Sequence, residues 1–292
     1  METVTSQTKK EGLVSVIVAA ALWGTIGLYS KELIELGFST LQLVLVRAVG
    51  AFLTLLLLVL VKKPALLRIA PRDSIYFVGT GILSFVFFNW CYFTAISKTS
   101  LSIAAILLYT APSIVMLLSA LLFHKAVTRR KLCSLGLTFA GCVLVTALGP
   151  GGNPILFSGI LAGLGSGFGY ALYSIFGRYA LQRYHPLTVT LYTFLFASLA
   201  LVPMVNFGTV ASLLTNGKAL GYGLALSVLA TVLPFLLYTK GLSTLEAGKA
   251  SILATLEPVV ATMIGIGLYQ EPVSLVKVLG IAIVMLGVYL GR

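Results

Sequence analysis

The chain has 292 residues, of which 59% are hydrophobic and only 10% charged, with a mean hydropathy of +1.04 and a net charge of +12. A soluble domain is nearer half apolar and a quarter charged, so the composition indicates a membrane protein with no room for a separate soluble domain. The positive charge does not indicate nucleic acid, because the basic residues sit in short loops between apolar runs rather than on one amphipathic face.

Apolar runs of about 18 or more residues read as membrane spans. Ten are present, at 13–30, 41–61, 74–95, 102–123, 132–149, 155–177, 187–207, 219–241, 250–269 and 275–290. Lys9-Lys10 before an apolar run faintly resembles a signal peptide. Nine more runs follow with a consistent charge bias, so a first span that stays in the membrane is the better reading. It carries Trp23-Gly24 and Tyr29. The second contains Arg47, about two turns from its outer end. A charge inside a span is costly and is either functional or paired, or else it snorkels outward.

The loop Lys62–Arg72 is a basic anchor at the membrane surface. Asn89, Trp90 and Tyr92 lie close together in the third span. Asn89 needs partners, either on a neighbouring helix or in a wet cavity. Tyr109 and Pro112 fall in the fourth span, Gly136 and Gly141 in the fifth. The turn-rich stretch Gly149–Pro154 carries no charge and separates two halves.

The sixth span has Gly159, Gly163 and Gly167 at i, i+4 and i+8, a seam that lets another backbone approach closely. Ser166, Tyr170, Tyr173 and Ser174 form another face, which is either interhelical glue or cavity lining. The eighth span carries Pro234 and Tyr238, the ninth Ser251, Thr255, Glu257 and Pro258.

The two halves are related. Tyr92 and Tyr238, Ser97 and Ser243, Ile106 and Ile252, and Pro112 and Pro258 are all 146 residues apart. Trp23 and Tyr170, like Lys31 and Arg178, are 147 apart. An internal repeat fixes the architecture. Five spans per repeat is an odd number, so the second copy enters the membrane from the opposite side. That is the inverted-repeat design of secondary transporters, with a site near the midplane. The fold expected is an all-α membrane protein of ten helices. A cytoplasmic tail, 1–12, leads into a first repeat at 13–149, and an external linker at 150–154 precedes a second repeat at 155–292.

With the N-terminus placed inside, fifteen basic residues fall in inside segments and four outside. This positive-inside bias puts both termini in the cytoplasm of a plasma membrane.

Glu257 is the only one of eight acidic residues inside a span. Burial favours the neutral form of a carboxyl, so Glu257 reads as a proton carrier or, alternatively, as a structural hydrogen-bonding group. Pro112 and Pro258 cannot donate hydrogen bonds, which frees the carbonyls of Leu108 and Ala254. Broken helices in transporters hold cations on such carbonyls.

Catalytic and cofactor signatures are missing. No phosphate-binding glycine loop and no His-Glu-x-x-His is present. His124 and His185 sit at cytoplasmic span ends, and Cys91, Cys133 and Cys142 show no metal-binding spacing. No cofactor, metal or catalytic residue is expected.

Ten spans in two halves, Trp23-Gly24, Arg47, the Tyr92-to-Pro112 stretch, and Leu256-Glu257-Pro258 followed by Gln270-Glu271-Pro272 resemble the EamA family. This is the ten-helix branch of the drug/metabolite transporter superfamily, and the resemblance covers about 13–290. It implies a bacterial inner-membrane exporter of small metabolites, often amino acids, with a cavity lined mainly by spans 1, 3, 4, 6, 8 and 9. Where the second half has Glu257, the first has Ala111.

The site residues expected are Trp23, Asn89, Tyr92, Tyr109, Tyr170, Tyr173, Tyr238 and Thr255 around the solute. Arg47 and Glu257 would be coupling or structural charges, with Pro112 and Pro258 breaking helices. The partners are a small-molecule solute, the lipid bilayer and protons as a coupling ion. The rival functions are a lipid flippase or scramblase, which needs a polar groove open sideways, and a polytopic enzyme acting on lipid, which needs paired catalytic groups.

Overall fold

The computed structural model describes residues 6–146, 156–270 and 273–291. The linker 150–154, Glu271-Pro272 and Arg292 lie outside them. The described residues form helices joined by short turns, and no strand is found among them.

The first apolar run becomes α1 (Ser6–Gly24) and α2 (Ile26–Glu35). They are split at Thr25, whose hydroxyl donates to the Leu22 carbonyl at 2.6 Å. Helix α3 (Thr40–Lys62) starts with a reciprocal cap. Ser39 N donates to Gln42 Oε1 at 2.7 Å, and Gln42 N donates to Ser39 Oγ at 3.4 Å. Two short 3-10 turns lead to α4 (Ser74–Val78), a π-helical stretch Gly79–Val86, and α5 (Phe87–Lys98).

Helices α6 (Leu101–Leu108), α7 (Ala111–Phe123) and α8 (Arg129–Thr146) complete the first half. The second opens with α9 (Phe157–Ala180), α10 (Pro186–Leu201) and the short α11 (Phe207–Leu213). Then come α12 (Gly217–Ser227), a π-helical stretch Val228–Val232 and α13 (Leu233–Thr244). The chain finishes with α14 (Ala247–Ala254), α15 (Glu257–Tyr269) and α16 (Leu275–Gly291).

Eight of the described helical segments are long and apolar enough to cross a membrane. Helices α8 and α16 pack along each other beside them. Large apolar side chains such as Leu57, Leu117, Leu121 and Met263 are more than half exposed on the outside of the bundle, the surface that lipid covers.

The irregularities repeat with the sequence. The fourth span, expected as one run at 102–123, is broken between α6 and α7. The run at 250–269 is broken between α14 and α15 in the same register. Pro112 and Pro258 sit in the first turn of the second helix of each pair, where a missing N–H is tolerated. Each broken pair also ends alike. His124 (φ 51°) and Gln270 (φ 53°) are both left-handed caps, 146 residues apart.

The glycine seam of α9 faces the first break. A Cβ at Gly167 would lie 2.7 Å from the Thr110 hydroxyl and 3.1 Å from the Leu107 carbonyl oxygen. In the fifth span the two glycines differ. A Cβ at Gly136 meets nothing, whereas one at Gly141 would lie 2.7 Å from the Val284 backbone nitrogen and 2.8 Å from the Gly280 carbonyl oxygen. Backbone cannot move aside as a flexible side chain can. Gly141→Leu is therefore expected to separate α8 from α16 and destabilise the protein by about 1–3 kcal/mol, with Gly136→Leu close to neutral. Thermal unfolding of both variants in detergent checks the difference.

Candidate functional site

At the centre of the bundle is a cavity of about 70 Å³, part of it open to the outside. That is below the usual range of small-molecule sites. Its aromatic wall is built around Trp23, whose ring centroid lies 6.4 Å from Tyr170, 5.3 Å from Phe235 and 5.3 Å from Tyr238. Trp23 and Tyr170 are repeat mates, so the two halves meet here. Gly24 brings α1 onto the second break, since a Cβ there would lie 2.9 Å from the Glu257 carbonyl oxygen.

Of the expected residues, Trp23, Tyr170, Tyr173, Tyr238, Arg47 and Glu257 line this cavity. Tyr173 and Tyr238 present their rings, because their hydroxyls are engaged elsewhere. Tyr173 Oη pairs with Thr239 Oγ1 at 2.6 Å, and Tyr238 Oη with Ser174 Oγ at 2.8 Å. Tyr109 and Thr255 line a smaller neighbouring cavity of about 20 Å³, together with Pro112 and the residues Leu108 and Ala254 that precede the prolines. Glu257 and Tyr170 belong to both cavities. Pro258 is buried at the foot of α15.

Asn89 and Tyr92 line neither cavity. The Asn89 amide donates to the carbonyl of Phe85, four residues back in its own helix, at 2.7 Å. That carbonyl lies one residue before the end of the π-helical stretch. Tyr92 stacks on Phe88, with ring centroids 5.9 Å apart.

Sequence reasoning passed over Phe85, Phe88, Phe235 and Ser84, which line the larger cavity. In an apolar run, a phenylalanine facing a cavity looks the same as one facing lipid. The available signal was adjacency, since Phe88 precedes Asn89 and Phe235 follows Pro234.

A guanidinium-bearing and a carboxyl-bearing residue, Arg47 and Glu257, line this apolar space. Arg47 donates from Nε to Thr231 Oγ1 at 3.1 Å, and its guanidinium carbon lies 5.6 Å from the centre of the Phe85 ring. Phe85 and Thr231 are 146 residues apart, so Arg47 is seated between repeat mates. The Thr231 hydroxyl in turn donates to the Leu226 carbonyl at 2.8 Å, inside the second π-helical region. Among the described residues the Glu257 carboxylate has no hydrogen bond, and no ion pair joins it to Arg47. A solute with both a positive and a negative group could meet a partner for each.

The two halves of the chain, 10–147 and 157–291, each match the model of the EamA-like transporter family. The chain belongs to the EamA-like transporter family. An uncharacterized transporter of Archaeoglobus fulgidus is 30% identical over 278 residues, covering 95% of this chain and 94% of the relative. An uncharacterized inner membrane transporter of Salmonella typhimurium is 26% identical over 289 residues, covering 96% and 95%. A crystal structure of another protein shares the fold, with a TM-score of 0.79 and 19% identity over 96% of both chains.

In this EamA-like chain the end of the bundle that carries most basic loops is tied by polar latches. Arg178 Nη1 donates to the carbonyls of Leu242 at 2.6 Å and Ser243 at 3.3 Å, capping the end of α13. Arg183 pairs with Asp73 at 2.7 Å, and Lys131 pairs with Glu246.

Partial burial works against the charged form of Glu246, but the Lys131 hydrogen bond and the charges of Lys131, Lys125 and Lys249 hold its carboxyl below the ordinary value. A carboxyl lowered in this way stabilises the fold above its unfolded pKa, and the contribution is lost as pH falls through the folded one. The effect is modest, since the Glu246 side chain is 41% exposed. Lys131→Met is expected to melt below the native protein at neutral pH, and the gap should close below about pH 4. Melting curves across pH check it.

Proposed function

We propose that this membrane transporter moves small amphipathic metabolites, amino acids or close relatives, outward through the central cavity by alternating access. All ten helices would cross the membrane as two inverted five-helix repeats, 13–149 and 155–292, with both termini cytoplasmic. The observation that carries the reading is the aromatic cavity shared by the two halves, with Arg47 and Glu257 both lining it and not bonded to each other. The rings suit an apolar or aromatic side chain. Arg47 suits a carboxylate, and Glu257 suits an ammonium or a coupling proton.

The decisive assay is transport in proteoliposomes against a panel of labelled amino acids, other metabolites and a fluorescent phospholipid, with and without an ion gradient. Saturable movement of one amphipathic solute class is expected. Movement of the phospholipid alone would replace this reading with a lipid flippase.

Trp23→Ala and Tyr170→Ala are each expected to cut transport about tenfold or more while the protein still inserts. Each loses ring contacts worth about 0.5–1.5 kcal/mol beyond simple burial. Folding must be checked, since removing a buried tryptophan side chain also costs about 3–5 kcal/mol. Normal transport in both variants, at normal expression, would return these rings to packing.

Orientation is tested by single cysteines. Labels placed at positions 68 and 130 should react only from the cytoplasmic side, and reaction from outside in intact cells would reverse the topology.

A further inference from the structure

The smaller cavity differs in character from its neighbour. It has room for about one water-sized particle, too little for an organic solute. Residues of both helix breaks that carry oxygen acceptors line it: Leu108, Ser251, Ala254, Thr255 and Glu257. The Ser251 hydroxyl donates to the Gly248 carbonyl at 2.9 Å and the Thr255 hydroxyl to the Ile252 carbonyl at 2.6 Å. Their protons are thus engaged, and each oxygen keeps its lone pairs as an acceptor. The carbonyls of Leu108 and Ala254 end α6 and α14, where Pro112 and Pro258 offer no N–H, and neither accepts a hydrogen bond among the described residues. Glu257 adds a carboxylate with no partner, and no basic side chain lines the space.

The geometry points to a binding site for one small, dehydrated monovalent metal cation of the sodium class, held between the two helix breaks. Hard oxygen ligands select such an ion, and the C-terminal ends of α6 and α14 contribute their negative partial charge. One carboxylate balances one positive charge. A divalent ion is not indicated, because no cluster of three His, Cys, Asp or Glu residues is found among the described residues. The ligands come from both halves of the chain, so an ion here ties the two breaks together. Because Glu257 and Tyr170 also wall the larger cavity, the ion alters the charge that a solute meets there. The inference stands independently of which solute is carried.

The test is thermal unfolding of the purified full-length protein in nanodiscs, in sodium, lithium, potassium, methylammonium and choline chlorides at equal ionic strength. Sodium and lithium are expected to raise the melting temperature saturably over choline, with potassium weaker. Thr255→Val should raise the half-saturating sodium concentration roughly tenfold, as the loss of one ligand of ~1.4 kcal/mol requires, and Glu257→Gln should abolish the shift. Thr110→Val, which removes a hydroxyl outside the cavity, should leave the shift intact. Each variant must first melt cooperatively in choline chloride. If Thr255→Val does not, Ser251→Ala takes its place with the same expected rise. Equal melting in all salts would overturn the site, as would a sodium shift unchanged in both Glu257→Gln and the hydroxyl variant. Stabilisation by methylammonium but not sodium would also overturn it, and would assign the space to a solute's ammonium. None of these readings requires transport, so a failed solute panel does not affect them.

Discussion

In choline chloride, without sodium, Glu257→Gln is expected to fold and melt like the native protein, yet to lose gradient-driven transport about 10- to 100-fold. The amide keeps the shape of the side chain and cannot carry charge. A structural role for the carboxylate would need a hydrogen bond across the bundle, and none is made among the described residues. Nothing that holds the fold together is therefore removed, and the change in stability should stay within about 0.5 kcal/mol. What is removed is a charge at the wall between the two cavities. A charge-assisted contact is worth about 1.5–3 kcal/mol, which sets the range of the loss.

Exchange of solute without a gradient should continue in Glu257→Gln, because the aromatic wall and Arg47 are untouched. Glu257→Ala should lose exchange as well, since it opens space beside the break. The measurement is paired uptake in proteoliposomes, with a gradient and at equilibrium. Full driven transport in Glu257→Gln would exclude a coupling role for this carboxyl and move coupling elsewhere.

The spacing of Pro112 and Pro258 was legible in the sequence as two helix breaks, because proline's missing N–H acts locally whatever the tertiary context. The Trp23–Tyr170 meeting was legible for a related reason, since a repeat places its mates symmetrically. The π-helical stretches were not. They arise from how helices settle against one another, and no residue type marks them uniquely. Their effects on the site are nevertheless large. The first claims the amide of Asn89, a residue whose polarity in an apolar run suggested a cavity position. The second places Thr231 where Arg47 can reach it. The phenylalanines of the cavity wall were hidden because hydrophobicity does not distinguish lipid from an internal apolar face. Glycines were legible as close-packing positions but not their partners, as the contrast between Gly136 and Gly141 shows.

Arg47→Met is expected to move stability and transport in opposite directions. The guanidinium has five N–H donors, and among the described residues only the Nε–H has a partner, Thr231. A buried charge so poorly paired costs several kcal/mol of desolvation. The ring of Phe85 at 5.6 Å returns about 0.5–2 kcal/mol of that. Methionine has a similar reach, no charge and a flexible apolar end that suits the neighbouring rings. The melting temperature of Arg47→Met should therefore equal or exceed that of the native protein. Transport of carboxylate-bearing solutes should fall about 100-fold, the factor that corresponds to ~2.7 kcal/mol of lost charge-assisted bonding. Arg47→Lys separates charge from geometry. It keeps the charge but not the planar fork, so it should recover part of the rate at a higher half-saturating concentration. Solutes of the same shape with an amide or ester in place of the carboxylate should distinguish poorly between native protein and Arg47→Met. If carboxylate solutes moved equally fast through Arg47→Met, the arginine would be a structural tie to Thr231, and the variant's stability should then fall instead of rise.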